Sequence, residues 1–238
     1  MSGIIGLLIR HPETHENARG IIMGQRLSGV VNAIGEKQPA LTAQHISSTI
    51  GGKDSLSPLA IMSSDAGRAI HLTERIAEKF PKTPVTYCAH LRERNMGEFE
   101  GRHRNEWVLV QKTSSVEYEH VRPFGGETKL ELQKRVMEFL TRIWKQAARQ
   151  PGTIGIITHG TTIAMMLLSI TGHAITERTY REYRPDNCAI ATIFFPHPEQ
   201  KNGNNSIRLL SYNVSDHLPD ELRTNRQQKS TNIITSEK

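Results

Sequence analysis

Four segments far apart in the chain carry side chains suited to moving a phosphoryl group: Arg10-His11, Ser63-Ser64-Asp65 with Arg68, Leu91-Arg92-Glu93, and Thr158-His159-Gly160. A neutral imidazole nitrogen can attack phosphorus in line and give a phosphohistidine that water later hydrolyses, which divides one slow displacement into two faster steps. Charge spread over the equatorial oxygens of the transferring group is stabilised by guanidinium donors and a second, protonated imidazole. Arginine suits that part because its planar fork contacts two oxygens at once and stays charged. The leaving alkoxide needs a proton, which a carboxylic acid donates when burial or an anionic neighbour raises its pKa. Protein charge then does what a magnesium ion does elsewhere, so this set requires no metal and no cofactor.

These residues can act together only if the fold gathers them. In an open α/β sheet, ligands bind outside the carboxyl ends of the strands. Short apolar runs at 3–9, 59–62, 85–88, 154–157 and 189–195 read as strands buried on both faces, and the chemical residues follow directly on the first four. Helical periods lie between them. Ile70, Thr73, Ala77 and Phe80 recur at spacings of three or four before Pro81. Residues 129–149 present the stripe Leu132, Val136, Phe139, Leu140, Ile143, Trp144 and Ala147, opened by a capping-box pair, Thr128 and Glu131, and ended by Pro151-Gly152. Residues 161–169 read as a buried helix closed by Gly172. The alternation implies an α/β fold layered around a mostly parallel sheet. Residues 1–218 read as one domain. Within it the polar, weakly periodic stretch 101–126 is expected to be an insertion over one end of the sheet. Residues 219–238, rich in Asn, Gln, Thr and charge, read as a flexible C-terminal tail.

Composition narrows the function classes. Of 238 residues, 37% are hydrophobic and 23% charged, which excludes a disordered or collagen-like chain. No apolar stretch approaches the ~20 residues of a bilayer span, so no membrane partner is expected. Cys88 and Cys188 lack metal-finger spacing and cannot build a disulfide framework, which points to a reducing, cytoplasmic setting. The net charge of +6 favours an anionic partner. Aromatic residues are only 5% and no nucleic-acid-binding motif is present, so a small anion is favoured over a nucleic acid. His15, His71, His103 and His120 show no HExxH or comparable spacing, so no metal site is expected. The residues set no oligomeric state.

The stretch Arg10-His11-Pro12-Glu13-Thr14-His15-Glu16-Asn17 resembles the R-H-G-E-T-x-x-N signature of the histidine phosphatase, or phosphoglycerate mutase-like, superfamily (branch 1). Further matches follow in the family's order. Gly24 stands seven residues after Asn17; Ser63-Ser64-Asp65 with Gly67-Arg68-Ala69 resembles S-S-D-x-x-R-A; Leu91-Arg92-Glu93 with 97–101 resembles L-x-E…G-x-x-E-G. Gly125-Gly126-Glu127-Thr128 is similar to G-G-E-S, and Thr158-His159-Gly160 to the second histidine motif. The resemblance implies a three-layer α/β/α sandwich and a metal-independent phosphatase acting on phosphomonoesters of small metabolites. It also implies the roles: His11 as nucleophile; Arg10, Arg68 and His159 as the phosphate pocket; Asn17 as a further phosphate-side ligand; Glu93 as proton donor. Glu98, Glu100 and Glu127 are rivals for that last role. The resemblance leaves open which phosphorylated metabolite is the partner; sugar bisphosphates, ribazole phosphate, phosphoserine and nucleotide monophosphates are candidates.

Departures bear on activity. Pro12 stands where the family has glycine, which fixes φ and removes an amide donor beside the nucleophile. Met23 occupies a site that is often polar, and Leu41-Thr42 only loosely echoes the next family segment. Two alternatives follow: a phosphoglycerate mutase-type phosphotransferase, or a catalytically weak phosphate-binding member. Asn95 and Met96 replace the His-Tyr pair of the mutase branch, which favours hydrolysis. Arg102, Arg104, Lys112 and Arg122 could meet a second anionic group and are left outside the candidate site.

Overall fold

The computed structural model describes residues 3–50, 59–147, 151–197, 206–224 and 231–232. In chain order the elements are β1 (Gly3–Arg10), α1 (His15–Arg19), α2 (Ala33–Ile50), β2 (Ala60–Ser63), α3 (Gly67–Lys79), β3 (Val85–Tyr87), α4 (Arg104–Thr113), α5 (Lys129–Ala147), β4 (Gly152–Thr158), α6 (Gly160–Thr171), α7 (Glu177–Tyr183), β5 (Ile190–Pro196), β6 (Arg208–Val214) and the two-residue β7 (Thr231–Asn232). The strands form one mixed sheet in the order β3-β2-β4-β1-β5-β6, with β7 at the edge. The first four are parallel to one another, whereas β5, β6 and β7 pair antiparallel.

Alternation along each strand divides the apolar residues between two faces. Leu8 and Ile156 point to one face and meet Leu132, Val136 and Leu140 of α5 and Ile163 and Leu167 of α6. Ile9 and Ile157 point to the other and meet Ala43 and Ile46 of α2 and Leu72 and Ile76 of α3. The result is a three-layer α/β/α sandwich, and each fully buried Leu or Ile contributes roughly 1.5–3 kcal/mol to holding it. The expected capping box forms: Glu131 N donates to Thr128 Oγ1 at 3.1 Å and Thr128 N to Glu131 Oε2 at 2.8 Å. Gly172 closes α6 in the left-handed region, at φ 72°. The expected end of the α5 stripe, 148–149, lies outside the described residues.

Four features differ from the sequence reading. The run at 189–195 is a strand, but it enters the sheet antiparallel, because a run buried on both faces does not report its direction. The helix α2 carries Pro39 in its interior and buries Gln38 and Thr42, so it lacks a clean apolar period. The polar stretch 101–126 contains α4, whose Trp107 packs with Met96, Phe99 and Val121 in a small separate cluster. Within 219–238, Leu222 is buried beside α2 and its carbonyl accepts from Gln38 Nε2 at 2.8 Å, while β7 pairs with β6. Residues 225–230 and 233–238 of that segment lie outside the described residues.

Candidate active site

The parallel register of β1 and β4 pairs Arg10 with Thr158, so His11 and His159 leave the sheet side by side. Their ring centroids are 5.1 Å apart with the planes tilted by 60°, and both residues are buried, at 3% and 0% exposure. His11 Nδ1 lies 2.7 Å from the Pro12 carbonyl. A carbonyl only accepts, so the ring proton sits on Nδ1 and Nε2 keeps its lone pair. His159 Nε2 lies 2.8 Å from Ser64 Oγ, and its Nδ1 is buried without a hydrogen-bond partner. Both imidazoles are held well below the ordinary histidine pKa, first by burial and then by Arg68, with Arg10 adding to the effect. They are neutral when the site is empty.

The arginines are held by main-chain carbonyls. Arg10 donates through Nη1 to Pro185 O at 2.7 Å, and its Nε is buried and unpartnered. Burial, and then the neighbouring Arg184, push the Arg10 pKa down to about 9, with Glu93 and Asp186 acting the other way. Arg68 is buried in the first turn of α3 and donates to the carbonyls of Gly24, Arg26 and Ser28. That loop depends on Gly24: its φ is +52°, and a Cβ there would stand 2.1 Å from Glu100 Oε1. Closely spaced cations, only partly offset by the nearby carboxylates, are costly in the empty site and are stabilised when an anion enters.

Glu93 is fixed at the start of α6. Its Oε2 accepts from Thr161 N at 3.0 Å and its Oε1 from Arg94 N at 2.8 Å. Its rivals are engaged elsewhere or face solvent. Glu127 pairs with Arg135, Glu100 accepts from the Gln25 and Met96 amides, and Glu98 is exposed. Asp65 pairs with Arg92, which ties the segment carrying Glu93 to the end of β2 and keeps the Asp65 carboxyl below its ordinary pKa. Thr14 accepts the Asn17 amide and caps α1, which frees the Asn17 side chain from a capping role. Asn17 Oδ1 accepts from Asn187 Nδ2 at 3.2 Å.

A cavity of about 760 Å³ opens here, and Arg10, His11, Asn17, Arg68 and Glu93 all line it. His159 sits behind His11 rather than at the wall. The volume lies within the range of pockets that hold whole metabolites and greatly exceeds what a bare phosphoryl group needs. Sequence reasoning missed the far wall, which includes Arg94, Tyr118, Lys129, Tyr180 and Arg184. Arg184 precedes β5, and the amino end of an antiparallel strand shares the sheet edge with the carboxyl ends of its parallel neighbours. Reading only residues that follow strands passes over it. Gly160 separates Arg10 from Arg184, for a Cβ there would come within 3.2 Å of either Nε. Of the four basic residues set aside in the sequence, Arg104 lines the cavity and donates to the Asn17 carbonyl, while Arg102 and Arg122 pair with Glu106 and Glu131.

Comparison with known proteins agrees with this geometry. The histidine phosphatase superfamily (branch 1) matches residues 7–204. A metal-independent phosphoserine phosphatase of Arabidopsis thaliana is 30% identical over 170 residues, covering 69% of this chain and 68% of that protein. A fructose-2,6-bisphosphatase of Xenopus tropicalis is 23% identical over 225 residues, covering 92% and 80%. Among solved structures, a phosphoserine phosphatase of Entamoeba histolytica in complex with 3-phosphoglyceric acid superposes with a TM-score of 0.71 at 23% identity, over 91% of this chain and 100% of that one. A mycobacterial glucosyl-3-phosphoglycerate phosphatase gives 0.70 at 18% identity, over 89% and 99%. The chain belongs to the histidine phosphatase superfamily, branch 1, and is a phosphoric monoester hydrolase.

Proposed function

We propose that this enzyme hydrolyses phosphomonoesters of small metabolites through a phosphohistidine on His11, without a metal. His11 Nε2 attacks phosphorus, the bond to the leaving oxygen breaks, and Glu93 gives that oxygen its proton. Water then attacks the phosphohistidine, Glu93 takes a proton from it, and phosphate leaves as Nε2 recovers its lone pair. Arg10 and Arg68 bind the equatorial oxygens. Asn17 adds a polar contact, and His159, whose ring centroid lies 5.1 Å from that of His11, completes the phosphate pocket from behind the nucleophile. The observation that carries this reading is the tautomer of His11: the Pro12 carbonyl keeps the proton on Nδ1, and the ring lines a cavity walled by two guanidiniums.

The substrates named for the relatives, phosphoserine and fructose 2,6-bisphosphate among them, are small phosphorylated metabolites and support that class here. Among the described residues no helix is long and apolar enough to cross a membrane. The two free cysteines suit a reducing compartment, and we place the enzyme in the cytoplasm. The test is a rapid acid or alkaline quench with radiolabelled substrate. Wild type yields an acid-labile, base-stable phosphoprotein, whereas His11→Ala yields none and releases no phosphate. Full turnover by His11→Ala, or an acid-stable adduct, overturns the assignment.

A further inference from the structure

The far wall of the cavity contains a cation that the catalytic steps above do not use. Lys129 is the first residue of α5 and is only 2% exposed, yet it lines the cavity. Its position is electrostatically unfavourable, since the positive end of a helix dipole disfavours a cation in the first turn. It forms no ion pair among the described residues. Nζ donates to the Tyr118 carbonyl at 3.4 Å and sits 3.5 Å from the centroid of the Tyr118 ring, with the Tyr180 ring at 5.6 Å. Burial, and then Arg94, push its pKa down to about 6, which Glu119 and Glu177 oppose only in part. A buried ammonium without a carboxylate partner is costly.

The surroundings show what would offset that cost. Seven cationic side chains line the cavity against two carboxylates, Glu93 and Glu177. Arg10 and Arg68 are assigned to the phosphoryl group, so positive charge remains at the end where Arg94 and Lys129 stand. Tyr118 and Tyr180 wall that end, both half-buried and with their rings 6.2 Å apart.

We propose that Lys129 is the specificity-determining residue of a second anion subsite, which holds a carboxylate or phosphate carried on the leaving-group side of the substrate. The inference rests on the phosphatase reading and adds the substrate class, a phosphomonoester with a second negative group. An entering anion gives Lys129 the charged partner it lacks and favours its protonated form.

The experiment measures kcat/KM for wild type, Lys129→Met and Lys129→Arg on four substrates. p-Nitrophenyl phosphate has no second anion, phosphoserine and 3-phosphoglycerate offer a carboxylate, and fructose 2,6-bisphosphate offers a second phosphate. Lys129→Met is expected to lose about 10- to 100-fold more on the anionic substrates than on p-nitrophenyl phosphate, mainly through KM, as expected for one charged hydrogen bond. Lys129→Arg should restore part of it. Whichever anionic arm loses more identifies the carboxylate or the phosphate. Equal losses on all four substrates, or none, overturn the subsite while leaving the phosphatase reading intact. Should the methionine variant fail to fold, wild type alone decides: no preference for any anionic substrate over p-nitrophenyl phosphate overturns the proposal. Wild type inactive on all four removes the phosphatase reading and this inference with it.

Discussion

The proton of the His11 ring is held on Nδ1 by the carbonyl of Pro12, 2.7 Å away. That acceptor belongs to the main chain, so proline preserves it and deletes only an amide hydrogen. Pro12→Gly should therefore keep kcat/KM on p-nitrophenyl phosphate within about threefold of wild type while lowering stability by about 1 kcal/mol through a looser unfolded chain. Steady-state kinetics and a denaturant titration check both. A hundredfold gain in rate on restoring glycine would show that the missing amide, rather than the carbonyl, matters.

Glu93→Gln keeps an acceptor for one of the Thr161 and Arg94 amides, which bond separate oxygens of the carboxylate, and removes the transferable proton. The loss should be about 10²- to 10⁴-fold on phosphoserine, whose alkoxide needs that proton. It should be much smaller on p-nitrophenyl phosphate, whose phenolate leaves unaided. Identical losses on both would reduce Glu93 to a positioning residue.

Acid should destabilise the folded state through the two histidines. Their pKa values are depressed, first by burial and then by Arg68. Below the ordinary value of 6.5 the unfolded chain therefore binds protons that the pocket refuses. Stability falls as pH drops through that value and returns as pH rises. The melting temperature should decline between about pH 7 and about pH 5, and decline less in a His11→Asn, His159→Asn double variant. The acid limb of kcat/KM should have its midpoint below 6.5; a midpoint above it would contradict a neutral His11.

Lys129→Met should stabilise the protein, by on the order of 1–4 kcal/mol, because it removes a buried ammonium that lacks an ion-pair partner. With the folded pKa near 6, the penalty is fully present below that pH and fades as pH rises toward the ordinary lysine value. The gain should shrink between neutral and alkaline denaturant titrations. A variant less stable than wild type would assign Lys129 a structural role.

Chelation should leave the rate unchanged, since arginine and lysine side chains supply the positive charge around the cavity. Vanadate, which can take up a trigonal-bipyramidal geometry, should inhibit competitively. Reversible loss of activity in EDTA would overturn the metal-free route.

How far the sequence reaches is clearest at the strand ends. Arg10, His11, Arg68, Glu93 and His159 were legible because each follows an apolar run or opens the next helix, and a parallel sheet puts such positions on one edge. The choice among glutamates was not legible, since Glu93, Glu98, Glu100 and Glu127 stand close in sequence. Of these four, Glu93 lines the cavity, while Glu127 pairs with Arg135 and Glu100 accepts the Gln25 amide.

Periodicity and turn chemistry by themselves determined the layered α/β architecture, most element positions and the residues able to handle a phosphoryl group, because these are local properties written at spacings of two to four. Only the tertiary structure decided the direction of β5, the arrival of Arg184 beside Arg10, and the burial of Lys129 between two tyrosines from distant segments. Those relationships join residues from eleven to more than a hundred positions apart, where strand order and packing, and no short-range pattern, set what meets what.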